Sequence, residues 1–480
     1  MACLMASLIP WSSLGHLSFV PRLSLVHGHC CPIDTYETRS NFDARGRLLA
    51  WYDVPLPRMS TTISVTTLSC GLPLIIESNP SVRSAAICWM VPAGASTDPD
   101  DRQGMAAMIA ELLMRGSSTR TSREQADAFD ALGVSRSADV GGSFIRVTAS
   151  FLADRLTPTL ELLADMVLNP RFDADGIEPS RELCLQTVAG LKDDLSDYAS
   201  KILVERAMPL PLNRSTIGTE QGLKAISQRD IVSHWAARCT PKGSILAISG
   251  QVNPAEVAET LERIFKPSAG YAGSCALPER TSSTLAGTMH HLSEPSNQVH
   301  IHLAHDGPAE GTADVPRERI LTAVLSAGSS SRLFTEVREK RALCYSVAIG
   351  YSPELGFGFS TGYVGTTPDK AQQSLDVMLA ELRKVAAGAA PLSPITADEH
   401  QRALVGARTR LVFAGESMMA RALGLGNDFY RLGRPRSLAE ISAALQAVSL
   451  ADLNEYITRR SLGKVTVVTL GPKGLELSGM

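Results

Sequence analysis

The chain is short of most features that would point directly to a partner. Aromatic residues are only 5% of its 480 residues, and no run reaches the roughly 18 apolar residues that a helix spanning a bilayer needs. There is no cationic excess: 46 Lys and Arg against 49 Asp and Glu leave −3. Electrostatics therefore give no reason to expect nucleic acid or an anionic membrane surface as a partner. The nine cysteines are scattered and odd in number, with no CxxC among them. That argues against a disulfide scaffold and against a cysteine-built zinc site, and makes a reducing, cytoplasmic setting the expectation. What remains, 44% hydrophobic and 20% charged residues, is an ordinary globular composition that excludes wholesale disorder and fibrous repeats. At about 150 residues per domain, the length suggests about two to four domains.

Residues 1–58 differ from the rest. Before Asp34 the only Lys or Arg is Arg22, and Pro10 and Pro21 interrupt the apolar stretch. A secretory signal would carry a basic start and an unbroken apolar core. The segment is either a poor targeting sequence or an extension ahead of a working start at Met59, and the later start is the expectation.

From Met59 the pattern is regular. ISVTTLSCGLPLIIES reads as two strands turned at Gly71, and VRSAAICWMVPAGA as a third. Met105, Met108, Ile109, Leu112 and Leu113 have helical spacing, and a second helix is expected over 122–132 with Ser122 as its N-cap. A hairpin over 134–151 is expected to turn at Gly141-Gly142. Long helices at 153–168 and 175–206 follow, separated by Asn169-Pro170. A helix at 228–239, the strand SILAISG and a helix entered through Asn253-Pro254 close the segment. Residues 266–288, rich in Gly, Ala, Ser, Thr and Pro, read as a linker.

The same order then returns. QVHIHLAH is a strand, with helices expected at 315–327 and 330–340, a hairpin over 345–364, helices filling 368–460, and KVTVVTLG as the last strand. AISQRDIVSHWAARCTPKGSILAISG, from Ala225, lies over AVSLADLNEYITRRSLGKVTVVTLG, from Ala447. Both run Ala, apolar, Ser, two residues, Asp, an amphipathic helix, and a strand ending in Gly. An internal repeat of about 220 residues is expected, giving two copies of one α/β unit, residues 59–265 and 289–480, either side of the linker.

SSSRLFTEVREKRALCYSV (329–347) strongly resembles the signature in the second half of the pitrilysin/insulinase-type zinc peptidases, the family that includes mitochondrial processing peptidase. QGMAAMIAELLMRGSSTRTS resembles the family's metal-binding helix, and LELLADMVLNPRFDADGIEPSRE the segment before its third ligand. The likeness runs from about residue 62 to 471. It implies an α+β fold of the mitochondrial processing peptidase/LuxS-like metallohydrolase type: two homologous α/β domains, each a mixed, largely antiparallel sheet covered by helices.

The family's chemistry needs His-x-x-Glu-His on a helix, with two imidazoles on one face to bind zinc and the glutamate to activate the bound water. Aligned on Gly104 and Gly116, the first histidine position holds Ala107, the base position Ala110 and the second histidine position Glu111. The stretch that should supply the distant glutamate reads LCLQTVAG, with Gln186 and Thr187. One carboxylate without an imidazole does not make a tetrahedral zinc site, so this chain is expected to bind no metal and to have no catalytic residue of its own. His300 and His302 share one face of a strand and His290-His291 point opposite ways; ordinary packing is the reading for all four. GSSS (328–331) lacks the second Gly of a nucleophile elbow, and Cys344 has no identifiable His partner.

The second-half signature is retained. The resemblance implies that Arg338 and Tyr345 reach a zinc site: a phenol can donate to the oxygen that becomes negative as water attacks a carbonyl, and a guanidinium fork can hold the peptide in register. On this reading the chain is the substrate-binding, non-catalytic subunit of a two-chain peptidase. Zinc sits in the partner, a homologous subunit in a heterodimer, with a homodimer as the other assembly; a peptide is the substrate. The alternative is a structural pseudo-peptidase, like the core subunits of a respiratory complex. An enzyme of unrelated chemistry on the same fold lacks any convergent constellation.

Overall fold

The first half opens with three strands, β1 (Thr62–Thr67), β2 (Pro73–Ser78) and β3 (Ser84–Val91). Helices α1 (Met105–Leu113) and α2 (Ser122–Ala131) lead to the hairpin β4 (Ser135–Val140) and β5 (Ile145–Leu152). Then come α3 (Leu156–Leu168), α4 (Ala174–Gly190), α5 (Leu195–Ala207), α6 (Glu220–Ala225), α7 (Gln228–Arg238), β6 (Ile245–Gly250) and α8 (Pro254–Ile264). The second half runs β7 (Met289–Ser293), β8 (Val299–Gly307), α9 (Val315–Ser326), a π-helical turn at Phe334–Glu339, β9 (Cys344–Glu354) and β10 (Phe357–Thr366). It ends with α10 (Ala371–Arg383), α11 (Ala397–Glu416), α12 (Met418–Leu432), α13 (Leu438–Gln446), α14 (Leu450–Arg459) and β11 (Thr466–Gly471). This computed structural model describes residues 61–265, 275–388 and 391–477. The 1–58 extension and residues 266–274 of the expected linker lie outside them.

The sheets are two versions of one plan. Strand order is β1-β2-β6-β3-β5-β4 in the first and β7-β11-β8-β10-β9 in the second. In each, the last strand of the half inserts between two earlier neighbours, β6 between β2 and β3 and β11 between β7 and β8, parallel to the former and antiparallel to the latter. Every other pairing is antiparallel, so both sheets are mixed and largely antiparallel, as the resemblance implied. The repeat reaches the caps. Ser227 accepts from Asp230 N and Ser449 from Asp452 N, each closing a capping box at the repeated Ser-x-x-Asp.

One face of each sheet buries its own half's helices. Leu74, Ile76, Ile87, Trp89, Val147 and Ile248 pack under α1, α3 and α8. Ile301, Leu303, Val364 and Val467 pack under α9 and α10. The opposite faces are covered by exchange. From the second half, α12 lays Met418, Ala422 and Leu425 on Ile75, Ala86, Cys88, Met90 and Ala247 of the first sheet. From the first half, α5 lays Ala199, Leu203 and Ala207 on Ala304, Val468 and Leu470 of the second. A sheet with two apolar faces needs two covering layers, and each half supplies the other's second layer. The described residues accordingly form one compact unit. Residues 275–288 are pinned across it by Thr281 N→Leu210 O (2.9 Å) and Ala286 N→Ala207 O (3.0 Å).

Four local expectations are corrected. Thr121 is the N-cap of α2 and Ser122 its first residue, because Thr121 closes a capping box with Glu124. The expected helix 175–206 is two helices, broken by a 3₁₀ turn at Leu191–Asp193, with Asp194 accepting from Asp197 N to start α5. The hairpin at Gly141-Gly142 has a four-residue loop, which docks on Gly94–Ser96 through Ala95 N→Gly141 O (3.0 Å) and Ser96 N→Gly142 O (2.8 Å). The helix expected at 330–340 is wound as a π-turn over Phe334–Glu339, a form that is common at functional sites.

Candidate functional site

The degenerate helix is anchored at its start by a buried carboxylate. Asp98, buried, accepts from Gly104 N (2.7 Å) and Ala106 N (3.0 Å) at the start of α1. Burial pushes its carboxyl up to about 7, against those bonds and the charge of Arg214. Gly104 has φ +114°, and a Cβ there would lie 2.6 Å from Leu223 Cδ2; glycine lets α6 approach the turn.

The chemistry along α1 is gone. Ala107 and Ala110 present methyl groups, Ala110 buried and Ala107 packed on the first core. Glu111 is bound by Arg115 one turn on, with Nη2 at 3.0 Å and Nε at 3.2 Å from Oε1. On the neighbouring α4, burial first and then the charge of Glu111 push the Cys184 thiol up to about 11, so the carboxylate faces a neutral thiol. Gln186 bonds Glu182 and Thr187 bonds Leu183 O within their own helix. Zinc needs about four N, O or S donors converging tetrahedrally. Among the described residues no group of three or more His, Cys, Asp or Glu side chains is placed to hold an ion. These residues do not fit a zinc ion.

The Arg–Tyr end is built for display. Arg338 lies in the π-turn, its guanidinium 4.8 Å from the Phe334 ring centroid. Glu336, two residues before it, is taken by Lys340 (2.7 Å) and Arg341 (2.6 Å), and among the described residues no ion pair engages Arg338. The chain then turns through Ala342 at φ +49°, a left-handed conformation that a residue with a side chain adopts at a cost. Leu343 N→Val337 O (3.0 Å) and Lys370 Nζ→Ala342 O (2.9 Å) hold it there. Directly beyond, β9 bulges: Thr366 pairs with Cys344 and Gly365 with Ser346, leaving Tyr345 without a partner on β10. Bulges re-aim side chains beside active sites. Here the bulge sends the phenol across Gly365, where a Cβ would collide with its ring and oxygen. Tyr345 stays 47% exposed.

Its hydroxyl donates to Gln298 Oε1 (3.0 Å) and lies 3.1 Å from the Tyr363 hydroxyl. Behind it, Tyr363 is 3.1 Å from His300 Nδ1, with the two rings stacked. The His302 ring is 4.8 Å from Tyr363, and Ser196 of α5 reaches both. His300 and His302 share the α5-facing side, as their alternation required, and are buried. Burial, and then the neighbouring His300, lower His302 to about 3. His290 and His291 bond Thr288 and Thr469. Burial raises the Cys344 thiol to about 11, offset only in part by Arg338, so it offers no thiolate at neutral pH.

No hydrogen bond or ion pair among the described residues joins Ala107, Ala110 or Glu111 to Arg338 or Tyr345. Sequence reasoning missed Gln298, Tyr363, Gly365 and Ser196. Their one signal was the buried-face histidine pair, which has meaning only once the register sets His302 beside Tyr363.

The comparisons with known proteins agree with the fold. The family model described as Insulinase (Peptidase family M16) matches residues 74–220, and the one described as Peptidase M16 inactive domain matches residues 225–404. An uncharacterised zinc protease of Rickettsia bellii is 25% identical over 427 residues, 87% of this chain and 100% of the relative. Another, of Mycobacterium bovis, is 27% identical over 416 residues, 86% of this chain and 94% of the relative. Among solved structures, a peptidase M16 inactive domain from Pseudomonas fluorescens has TM-score 0.75 at 19% identity, covering 87% of this chain and all of that one. A chain of Complex III2 from Candida albicans has TM-score 0.72 at 17% identity, covering 86% and 96%. Two family models that together span most of the described residues, on a duplicated sheet with the family's Arg–Tyr block in its second half, place this chain in peptidase family M16, the insulinase family.

Proposed function

We propose that the protein is the non-catalytic subunit of a two-chain zinc peptidase, presenting Arg338 and Tyr345 to the zinc site of a homologous partner for peptide hydrolysis. The observation that carries this is an asymmetry. In the first half the two histidine positions and the base are Ala107, Glu111 and Ala110, and Glu111 is taken by Arg115. In the second half Arg338 and Tyr345 stand exposed behind a positive-φ turn and a bulge. Conformations that cost energy persist where the surroundings enforce them, and they cluster at functional sites. In the active pair the Tyr345 phenol stabilises the oxyanion formed as zinc-activated water attacks the peptide carbonyl, and Arg338 positions the chain being cut. The partner is a zinc-bearing homologue, or a second copy of this chain in a purely structural role. Zinc belongs to the partner, the boundary between the two homologous domains falls within 266–288, and the setting is cytoplasmic.

Losing one oxyanion donor costs about 100- to 1000-fold in turnover. Tyr345→Phe should therefore sharply lower peptide cleavage by the reconstituted pair while leaving complex formation intact, and Arg338→Ala should mainly weaken peptide binding. If both variants cleave like wild type, the second reading replaces the first: a structural subunit with no peptide substrate, which the likeness to a chain of Complex III2 favours.

A further inference from the structure

The contacts around Tyr345 form a chain whose direction can be worked out by counting protons. Tyr345 has one hydroxyl hydrogen and donates it to Gln298 Oε1 at 3.0 Å. The 3.1 Å contact between the two phenols must then use the hydrogen of Tyr363. Tyr363 has none left for His300, so the 3.1 Å contact to Nδ1 requires that nitrogen to carry the proton. Burial holds His300 below its usual range, offset in part by Asp194, so at neutral pH the ring carries a single hydrogen. Ser196 of α5 completes the set at Tyr363.

We propose that His300, as its Nδ1–H tautomer, and Tyr363 are positioning residues that aim the Tyr345 hydroxyl at the substrate, and that Gln298 Oε1 is its resting acceptor. This deepens the reading given under Proposed function and rests on it. Every bond runs the same way, His300 to Tyr363 to Tyr345 to Gln298, and donors in series polarise one another. The terminal donor is Tyr345, the only one of the three aromatic groups left substantially exposed. A substrate oxygen that takes on negative charge is a better acceptor than a carboxamide, so it displaces Gln298 without disturbing the groups behind. The Gly365 seat and the bulge fix the ring, and the chain fixes the hydrogen.

The test has two independent arms on the full-length protein. In the first, ¹⁵N NMR of the isolated chain, with His300 assigned by loss of its signals in His300→Asn, should show a protonated Nδ1; an Nε2–H tautomer overturns the proposal. In the second, Tyr363→Phe and His300→Ala should each lower kcat of the reconstituted pair about two- to tenfold, the worth of one neutral hydrogen bond, with KM unchanged. His300→Asn, whose amide places an N–H near the same position, should restore most of the loss. A merely structural role would move KM and melting temperature together and treat Asn like Ala. Wild-type kcat in both Tyr363→Phe and His300→Ala overturns the proposal. If Tyr345→Phe itself is silent, the function fails, while the tautomer still decides the chain.

Discussion

Arg421 and Glu77 form a nearly dry ion pair between the halves, and breaking it measures how strongly the exchanged helix is held. Arg421 on α12 donates Nε–H to Glu77 Oε2 on β2 at 2.6 Å, and the side chains are only 6% and 3% exposed. A second guanidinium nitrogen donates to Arg436 O at 3.2 Å. Arg421→Ala leaves a carboxylate in the interior without its cation, a change that typically costs about 3–5 kcal/mol. For a cooperative unit of roughly 420 residues, an unfolding entropy of about 2.1 cal/mol/K per residue makes each kcal/mol worth about 1 °C, so the melting temperature should fall by about 3–6 °C. Replacing both partners, Glu77→Leu with Arg421→Met, removes the unpaired charge as well as the bond. That variant should recover most of the loss, because the desolvation of two charges offsets much of their attraction. Urea unfolding and thermal melts of the wild type, Arg421→Ala, the singles Arg421→Met and Glu77→Leu, and the double variant give the numbers. A loss below about 1 kcal/mol for Arg421→Ala, or a double variant no better than the worse single one, would refute the account of a buried pair clamping α12 to the first sheet.

Elemental analysis of the purified chain should find no stoichiometric zinc, and the chain alone should cleave no peptide; about one zinc per chain, lost in Glu111→Ala, would overturn the reading of α1. Gly365→Ala should disable the pair nearly as much as Tyr345→Phe with little change in melting temperature, because the added methyl meets the far end of a side chain that can swing away; wild-type cleavage would argue that the seated geometry is irrelevant. Burial raises Glu399, but Arg332 (2.7 Å) and the Thr396 cap outweigh it and hold the carboxyl at about 2, against 4.5 when unfolded. The stability it adds is whole above the unfolded value and lost as pH falls from about 4.5 to 2, so Glu399→Gln should flatten that part of the acid unfolding curve; an unchanged curve would refute the assignment.

Much of this was legible in the sequence because it depends on local rules. The Ser-x-x-Asp caps at 227 and 449, the Asn253-Pro254 helix start and the alternation at His300 and His302 are short-range consequences of side-chain chemistry and strand period. The loss of metal chemistry also follows from residue identity, since no packing can turn Ala107 and Ala110 into ligands or a base. Where a choice depended on competing caps or on spacing along a helix, the local reading slipped. Asp194 starts a new helix within what reads as one helical stretch, and the turn carrying Arg338 closes with π rather than α hydrogen bonds.

What only the tertiary structure decided lies between segments distant in the chain. That α5 covers the second sheet and α12 the first depends on which apolar faces remain uncovered after each half has packed, and no window of sequence contains that information. The Tyr345 site is assembled in the same way. β10 must register with β8 so that Tyr363 meets His302 and Gly365 meets His300, and β9 must bulge by one residue. A slip of one residue would turn each of those side chains to the opposite face. The sequence carries the groups and removes the metal ligands; long-range strand pairing aims the hydroxyl.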